Sequence, residues 1–319
     1  MNRVIAALCA ALAWIAPAPA QDYPTKPVRI LVGFPPGGAT DLVARLLQPR
    51  LAEALKQEIV VDNRPGANGV IAADLAAKAA PDGYTLHLAT LAALTISPTI
   101  TKVPYDPFRD FTPIARLVEL QNIFVVLPRM PVHTMQDLAA LARSRPGALN
   151  FASSGTGSTG HLSGELFKNM AGIDMVHIPY KGGGPALTDF FGGQVDVFVA
   201  IVSTVTPHVQ SGKARALAVT GYKRAAALPD VPTVAESGFP GYESANWYCL
   251  VGPPNLPRPI VDRWNREVVA VLNEPAIRQA LVDRGIDPAP STPAELASYL
   301  RSESEKWAQV AKATGLQAN

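Results

Sequence analysis

Sulfur is scarce in this chain, with two cysteines among 319 residues. Cys9 falls in an apolar N-terminal stretch, so a chain cleaved after that stretch keeps Cys249 alone and can form no intramolecular disulfide, even in an oxidising compartment. The five histidines (His87, His133, His161, His177 and His208) are scattered, and no Cys/His cluster has metal-ligand spacing, so neither a metal nor a cofactor is expected. Charge is thin as well: 17% of residues are charged, and 28 Lys and Arg against 26 Asp and Glu leave +2. A nucleic-acid partner needs a dense basic surface, which this balance excludes. A disordered chain is excluded by the 48% hydrophobic content at so small a net charge. Past residue 20 no stretch reaches the roughly 18 uninterrupted apolar residues of a membrane helix. No G-x-S-x-G serine elbow occurs either.

The first twenty residues are set aside from the fold. Arg3 supplies a positive start, residues 4–16 are apolar, and Ala18-Pro19-Ala20 places small residues before Gln21. This is the pattern of a signal peptide over residues 1–20, cleaved after Ala20, and it predicts an exported mature chain. The alternative is an uncleaved anchor, but such a segment rises only about 20 Å as a helix, short of a bilayer core of roughly 30 Å.

Proline and glycine, by contrast, are plentiful at 30 and 24 residues, without a period, and read as many turns between short elements. The length suits about two domains of ordinary size. Residues 28–34 (VRILVGF) form a near-continuous apolar run of the kind found in buried parallel strands, followed by a helical pattern near Asp41 that Pro49 should kink or shorten. Strands at 59–62 and 85–89 follow, with an Ala-rich helix at 72–80 between them. The pattern then restarts with strands at 123–127, 150–153, 175–179, 195–199 and 215–219, and becomes mainly helical from Pro257. Strands alternating with helices predict βαβ units and parallel sheets: an α/β chain of two lobes with a helical C-terminal tail. Lobe composition restarts near residues 116–121 and 238–246, which are expected to be the hinges.

Each lobe carries one unusual strand-to-helix loop. The first is Phe34-Pro35-Pro36-Gly37-Gly38-Ala39-Thr40-Asp41, and the second Ser153-Ser154-Gly155-Thr156-Gly157-Ser158-Thr159-Gly160-His161. In a doubly wound sheet such loops lie at the carboxyl ends of strands, where ligands bind. Glycine lets the backbone approach a ligand, and the helix that follows turns its positive end toward an anion. Neither loop contains Lys or Arg, so the implied ligand is a modest anion such as a carboxylate. The same loops could serve only as helix caps, with Ser158 or Thr156 as the capping residue. His161 could touch an anion or cap, and Asp41 could be no more than a dipole partner. The second loop also matches G-x-G-x-x-G, but the strand after it ends His177-Ile178-Pro179-Tyr180-Lys181 without the carboxylate that would hold a ribose.

Ordered segments along nearly the whole mature length resemble the Bug family, the extracytoplasmic binding proteins associated with tripartite tricarboxylate transporters. The carrying segments include PPGGATD (35–41), VVDNRPGANG (60–69), PDGYTL (81–86), PYDPFRDFTPI (104–114), SSGTGSTGHLSGELF (153–167), HIPYKGGGPALTD (177–189) and LPDVPTVAESGFPGYE (228–243). The resemblance implies a two-lobed periplasmic binding protein fold of the hinged type II, with two doubly wound sheets and a cleft between lobes. It divides into residues 21–120 plus 244–319 and residues 121–243. It implies a monomeric receptor, not an enzyme, that takes a small carboxylate (a di- or tricarboxylate, an amino acid or an aromatic acid) and delivers it to a membrane permease. The alternative is an exported α/β enzyme or a ligand sensor without a transport partner.

The family's carboxylate site maps onto Gly37, Gly38 and Ala39 in one lobe, with Pro36 and Asp41 of the same loop as further ligand-binding candidates. In the other it maps onto Ser154, Gly155, Thr156, Gly157 and Ser158, with Ser153 and His161 as further candidates. Tyr180, Lys181 and Gly182 are expected to line the cleft, Asp196 to accept bonds there unless it is only a solvated strand-end acid, and Trp247 to lie where the chain returns to the first lobe. Three departures from the family pattern concern selectivity: Ala200 where an acid is common, Tyr248-Cys249 after the tryptophan, and the weakly polar segment 90–98. They imply a less polar distal pocket, suited to an aromatic or longer aliphatic acid.

Overall fold

The structure, a computed structural model, describes residues 23–314. The signal-peptide expectation therefore lies outside the described residues. β1 (Val28–Val32) pairs in parallel with β2 (Ile59–Asn63) on one side and β3 (Thr85–Thr90) on the other. Its Val28, Ile30 and Val32 enter one buried cluster and Leu31 another, so both faces of the strand are covered. This is why the segment reads as an unbroken apolar run. The crossovers are α1 (Ala39–Leu55) and α2 (Val70–Ala77).

A second unit is built likewise, from β5 (Asn150–Ser153), β6 (Val176–Pro179) and β7 (Val197–Ile201), with β5 parallel to both β6 and β7. Phe124 and Val199 lie on one of its faces, Phe198 and Ala200 on the other. The helices here are α4 (Met135–Ser144), α5 (Thr159–Ala171), α6 (Gly183–Phe191) and α7 (Val202–Gln210). The short α3 (Ser97–Ile100) precedes them, continuing a buried π-helical turn at Ala92–Ile96.

One strand joins the two halves. β4 (Thr112–Val126) is antiparallel to β9 (Ala245–Gly252) over residues 112–121, and antiparallel to β7 over residues 122–126. β8 (Arg215–Val219) pairs with this second stretch, and β10 (Ile286–Pro288) with residues 118–120. The segment 116–121, read above as a crossover hinge, is thus the middle of a 15-residue strand. Its Arg116, Glu119 and Gln121 interrupt the apolar pattern and hide the strand until Ile123. β9, absent from the sequence reading, starts at Ala245 within the other expected hinge. The first connection is sheet, and the second is turn and loop over residues 238–244 before β9, so the halves are linked by backbone hydrogen bonds as well as by a loop.

Pro49 also behaves differently from expectation: α1 runs on through it for 17 residues. Losing one ladder bond is outweighed by Leu47, Leu51 and Leu55, all buried against the sheet. The C-terminal helices α8 (Arg258–Asn273), α9 (Pro275–Val282) and α10 (Pro293–Thr314) return to the first half. There α10 seats Leu296, Leu300 and Trp307 beside Trp247.

Candidate ligand cleft

The carboxyl ends of β1, β3, β5, β6 and β7 face one another across a cavity of about 370 Å³. Four helices begin at its wall: α1 at Ala39 and Thr40, α5 at Thr159, α6 at Gly183 and Gly184, and α7 with Ser203 and Thr204. Among the described residues no charged side chain and no histidine lines it. Each helix start carries about half a positive charge and unpaired N–H donors. The field inside is therefore positive without a single cation, which suits an anion held by backbone and hydroxyl groups.

Pro36, Gly37, Gly38 and Ala39 of the first loop line the cavity. Asp41 does not; it holds the loop. Its carboxylate accepts from the Gly37 N–H at 3.0 Å, from Arg45 Nε at 2.9 Å and from Asn63 Nδ2 at 3.0 Å. Burial alone would raise the Asp41 pKa, yet these donors and the Arg45 charge hold it below the usual carboxylate range. Gly37 has φ +82°, a conformation in which a side chain would be strained, so the turn needs glycine there. Replacing Asp41 by alanine would leave several part-buried donors unpaired. We expect Asp41→Ala to lower stability by about 2 kcal/mol in chemical denaturation, with Asp41→Asn losing less because an amide oxygen can still accept.

In the second loop, Ser154 and Ser158 line the cavity. Ser158 is also the N-cap of α5, its Oγ accepting from the His161 N–H. Ser153 lies beneath, its Oγ accepting from the Gly155 N–H at 3.1 Å and meeting His177 Nε2 at 2.7 Å. His161 resolves as a support: its Nδ1 accepts from the Gly157 N–H at 3.0 Å, which places the ring proton on Nε2. Its ring stacks on His177 at 3.8 Å. Burial pushes the His161 pKa down to about 4 and that of His177 to about 3, with the nearby Lys168 adding to both and His161 adding to the shift of His177. Both rings are neutral at pH 7. The third glycine of the G-x-G-x-x-G string has a packing role, because a Cβ on Gly160 would stand 2.4 Å from the Val199 carbonyl oxygen.

Several expected cleft residues lie elsewhere. Gly155, Thr156 and Gly157 do not line the cavity but turn toward Asn68 and α3 of the first half. Gly182 lines it; Tyr180 instead donates to Asp189 Oδ2 at 2.8 Å, and Lys181 is exposed outside it. Asp196 sits at the opposite end of the sheet, before β7, where its carboxylate accepts from the Asn150 N–H and its own N–H donates to Asn150 Oδ1. It ties two strand starts together. Trp247 is fully buried, its Nε1–H donating to Glu303 at 3.1 Å, whereas its neighbours Asn246 and Tyr248 line the cavity. Strand alternation explains the swap, since successive residues of β9 point to opposite faces.

Ala200 and Tyr248, two of the departures noted above, both line the cavity, together with Thr90 from the third. Phe198, Leu187 and Ile201 add an apolar wall, and Asn122 stands where β4 changes partners. Nothing local in the sequence marks these four residues as lining a cleft. Among the described residues no group of three or more His, Cys, Asp and Glu could hold a metal.

Comparison with known proteins agrees with this geometry. The structure is similar to Rpa4515 of Rhodopseudomonas palustris, solved with adipate: 38% identity, TM-score 0.89, 92% of this chain and 99% of that one. It is similar to the periplasmic binding protein BugD, with 32% identity, TM-score 0.87 and coverages of 93% and 100%. MatC of Rhodopseudomonas palustris, solved with bound malate, matches at 33% identity and TM-score 0.84, over 90% of this chain and 99% of that one. The model of the tripartite tricarboxylate transporter family receptor matches residues 43–316. A solute-binding architecture, an uncharged cleft ringed by helix starts and a family match over most of the chain converge, and the protein belongs to the tripartite tricarboxylate transporter receptor family.

Proposed function

We propose that this chain is a periplasmic receptor that captures a small carboxylate in the cleft between its two sheets and presents it to a membrane permease. The observation that carries the reading is the cavity itself, where four helix N-termini converge and no side-chain charge intrudes. A carboxylate there gains several charge-assisted hydrogen bonds, each worth about 1.5–3 kcal/mol before ordering costs. Four or five of them can reach the roughly −8 kcal/mol of a micromolar complex. The adipate bound by one relative and the malate bound by another support the class. The apolar wall of Phe198, Leu187 and Ile201 supports a ligand with a hydrocarbon body, a longer aliphatic or an aromatic acid, over a compact polyanion. Closure follows from a ligand that touches both halves, with the lobes divided at residues 120/121 and 243/244 and β4 and β9 flexing between them.

Thermal unfolding of the mature protein against mono-, di- and tricarboxylic and aromatic acids tests the reading. A ligand at one hundred times its dissociation constant stabilises by about 2.7 kcal/mol, a shift of a few degrees for a chain of this size. Adipate and longer or aromatic acids should shift the midpoint more than citrate. A response to citrate alone contradicts the apolar distal pocket, and silence across the panel, in protein stripped of co-purified ligand, contradicts carboxylate capture.

A further inference from the structure

The second glycine loop is gripped from outside the cavity. Asn68, in the turn before α2, reaches across to the other half and donates its Nδ2–H to the Thr156 carbonyl. Gly155 and Gly157 flank that carbonyl. A Cβ on Gly155 would come within 3.0 Å of Asn68 Oδ1, and one on Gly157 within 3.4 Å of Asn68 Nδ2 and 2.9 Å of the Ile100 side chain. These two glycines are bare toward Asn68, not toward the ligand. The backbone at the tip is held in an uncommon shape to deliver the amide: Ala67 has φ +46° and Asn68 φ +55°. That region disfavours most side chains and tolerates asparagine better than most. Nearby, Pro35 of the first half packs against Gly182 of the second at 3.5 Å from where its Cβ would stand.

We propose that Asn68 is an inter-lobe latch, a positioning residue that holds the cleft closed and so sets how slowly a bound ligand leaves. Its bond is made between protein groups alone and does not pass through the cavity. The latch therefore biases the closed arrangement even without ligand, and a ligand that contacts both halves adds to a bias already present. Its effect on ligand release rests on the receptor reading given above; its effect on closure does not.

Two variants separate the latch from folding. Asn68→Asp keeps the shape and the tolerance for positive φ but sets a carboxylate against a carbonyl, acceptor against acceptor. Asn68→Gly keeps the backbone freedom and removes the side chain. Small-angle scattering of ligand-free protein should show a larger radius of gyration for both than for wild type, with the Asn68→Gly unfolding midpoint within about 2 °C of wild type. A scattering curve for both variants that superimposes on wild type overturns the latch. With adipate as probe, the dissociation rate should rise roughly five- to tenfold in both, the scale of one lost hydrogen bond, with little change in association rate. An unchanged dissociation rate overturns it too. If wild type binds neither adipate nor malate, it is the carboxylate reading that fails, and scattering still decides the latch.

Discussion

Gly38→Trp is expected to abolish ligand binding, with at least about a hundredfold loss of affinity by calorimetry, while leaving the unfolding midpoint nearly unchanged. Gly38 is the N-cap of α1 with φ −78° and ψ 169°, an extended conformation open to any residue. A Cβ there meets only the Pro35 carbonyl, at an ordinary contact distance of 3.5 Å. The backbone can therefore accept a side chain, but the residue lines a cavity of about 370 Å³, and an indole would fill much of it. A hundredfold loss is about 2.7 kcal/mol, less than the sum of the donors it would block. Gly160→Val provides the contrast. Its Cβ would stand 2.4 Å from the backbone oxygen of Val199, with α5 pressed against β7, so this variant should fail to fold rather than fail to bind. If Gly38→Trp binds adipate like wild type, the anion does not sit at the start of α1.

Acid should unfold this protein earlier than its carboxylates alone would require. His87, His161 and His177 are all held neutral. Burial pushes the His87 pKa down to about 4, with its Nδ1 beside the Leu31 carbonyl at 3.0 Å and its Nε2 without a partner. His161 titrates at about 4 and His177 at about 3. The unfolded chain takes up these protons near pH 6.5, before the folded one does. Stability is therefore complete above about pH 6.5 and falls as pH drops toward 4, by up to about 1.4 kcal/mol per pH unit for each histidine. The stacked pair will titrate together, so the combined loss is on the order of several kcal/mol. Paired carboxylates such as Asp41, Asp106 and Glu236 have pKa values below the usual range and add their loss only at lower pH. The unfolding midpoint measured from pH 8 to 4 should be flat above 7 and steep below 6; a profile flat down to 4.5 would show the rings are not buried neutral. Protonation of the folded ring removes the Nδ1 acceptor beneath Gly157 only as pH nears 4, so affinity should hold while stability is already falling and drop only there.

The local chemistry of this protein was written in its sequence. Apolar runs such as residues 28–32 marked strands covered on both faces, and positive-φ glycines such as Gly37 marked turns that no side chain fits. Two cation-free glycine loops at strand ends marked two walls of the cavity, and ordered motifs along the chain marked the family. These features depend on one residue and its near neighbours, which a linear text preserves. Tertiary structure decided what depends on direction and on distant partners. It made residues 112–126 one strand through two sheets, because pairing with β9, β7 and β8 outweighs the polar residues within it. It turned Trp247 into the core and Tyr248 into the cleft by the alternation of β9, and placed Asp196 at the far end of its sheet. It also set Asn68 against Thr156, 88 positions away, and brought four helix starts to one cavity. Spacing along the chain carries no trace of either arrangement, since both arise only when two separately wound sheets close on each other.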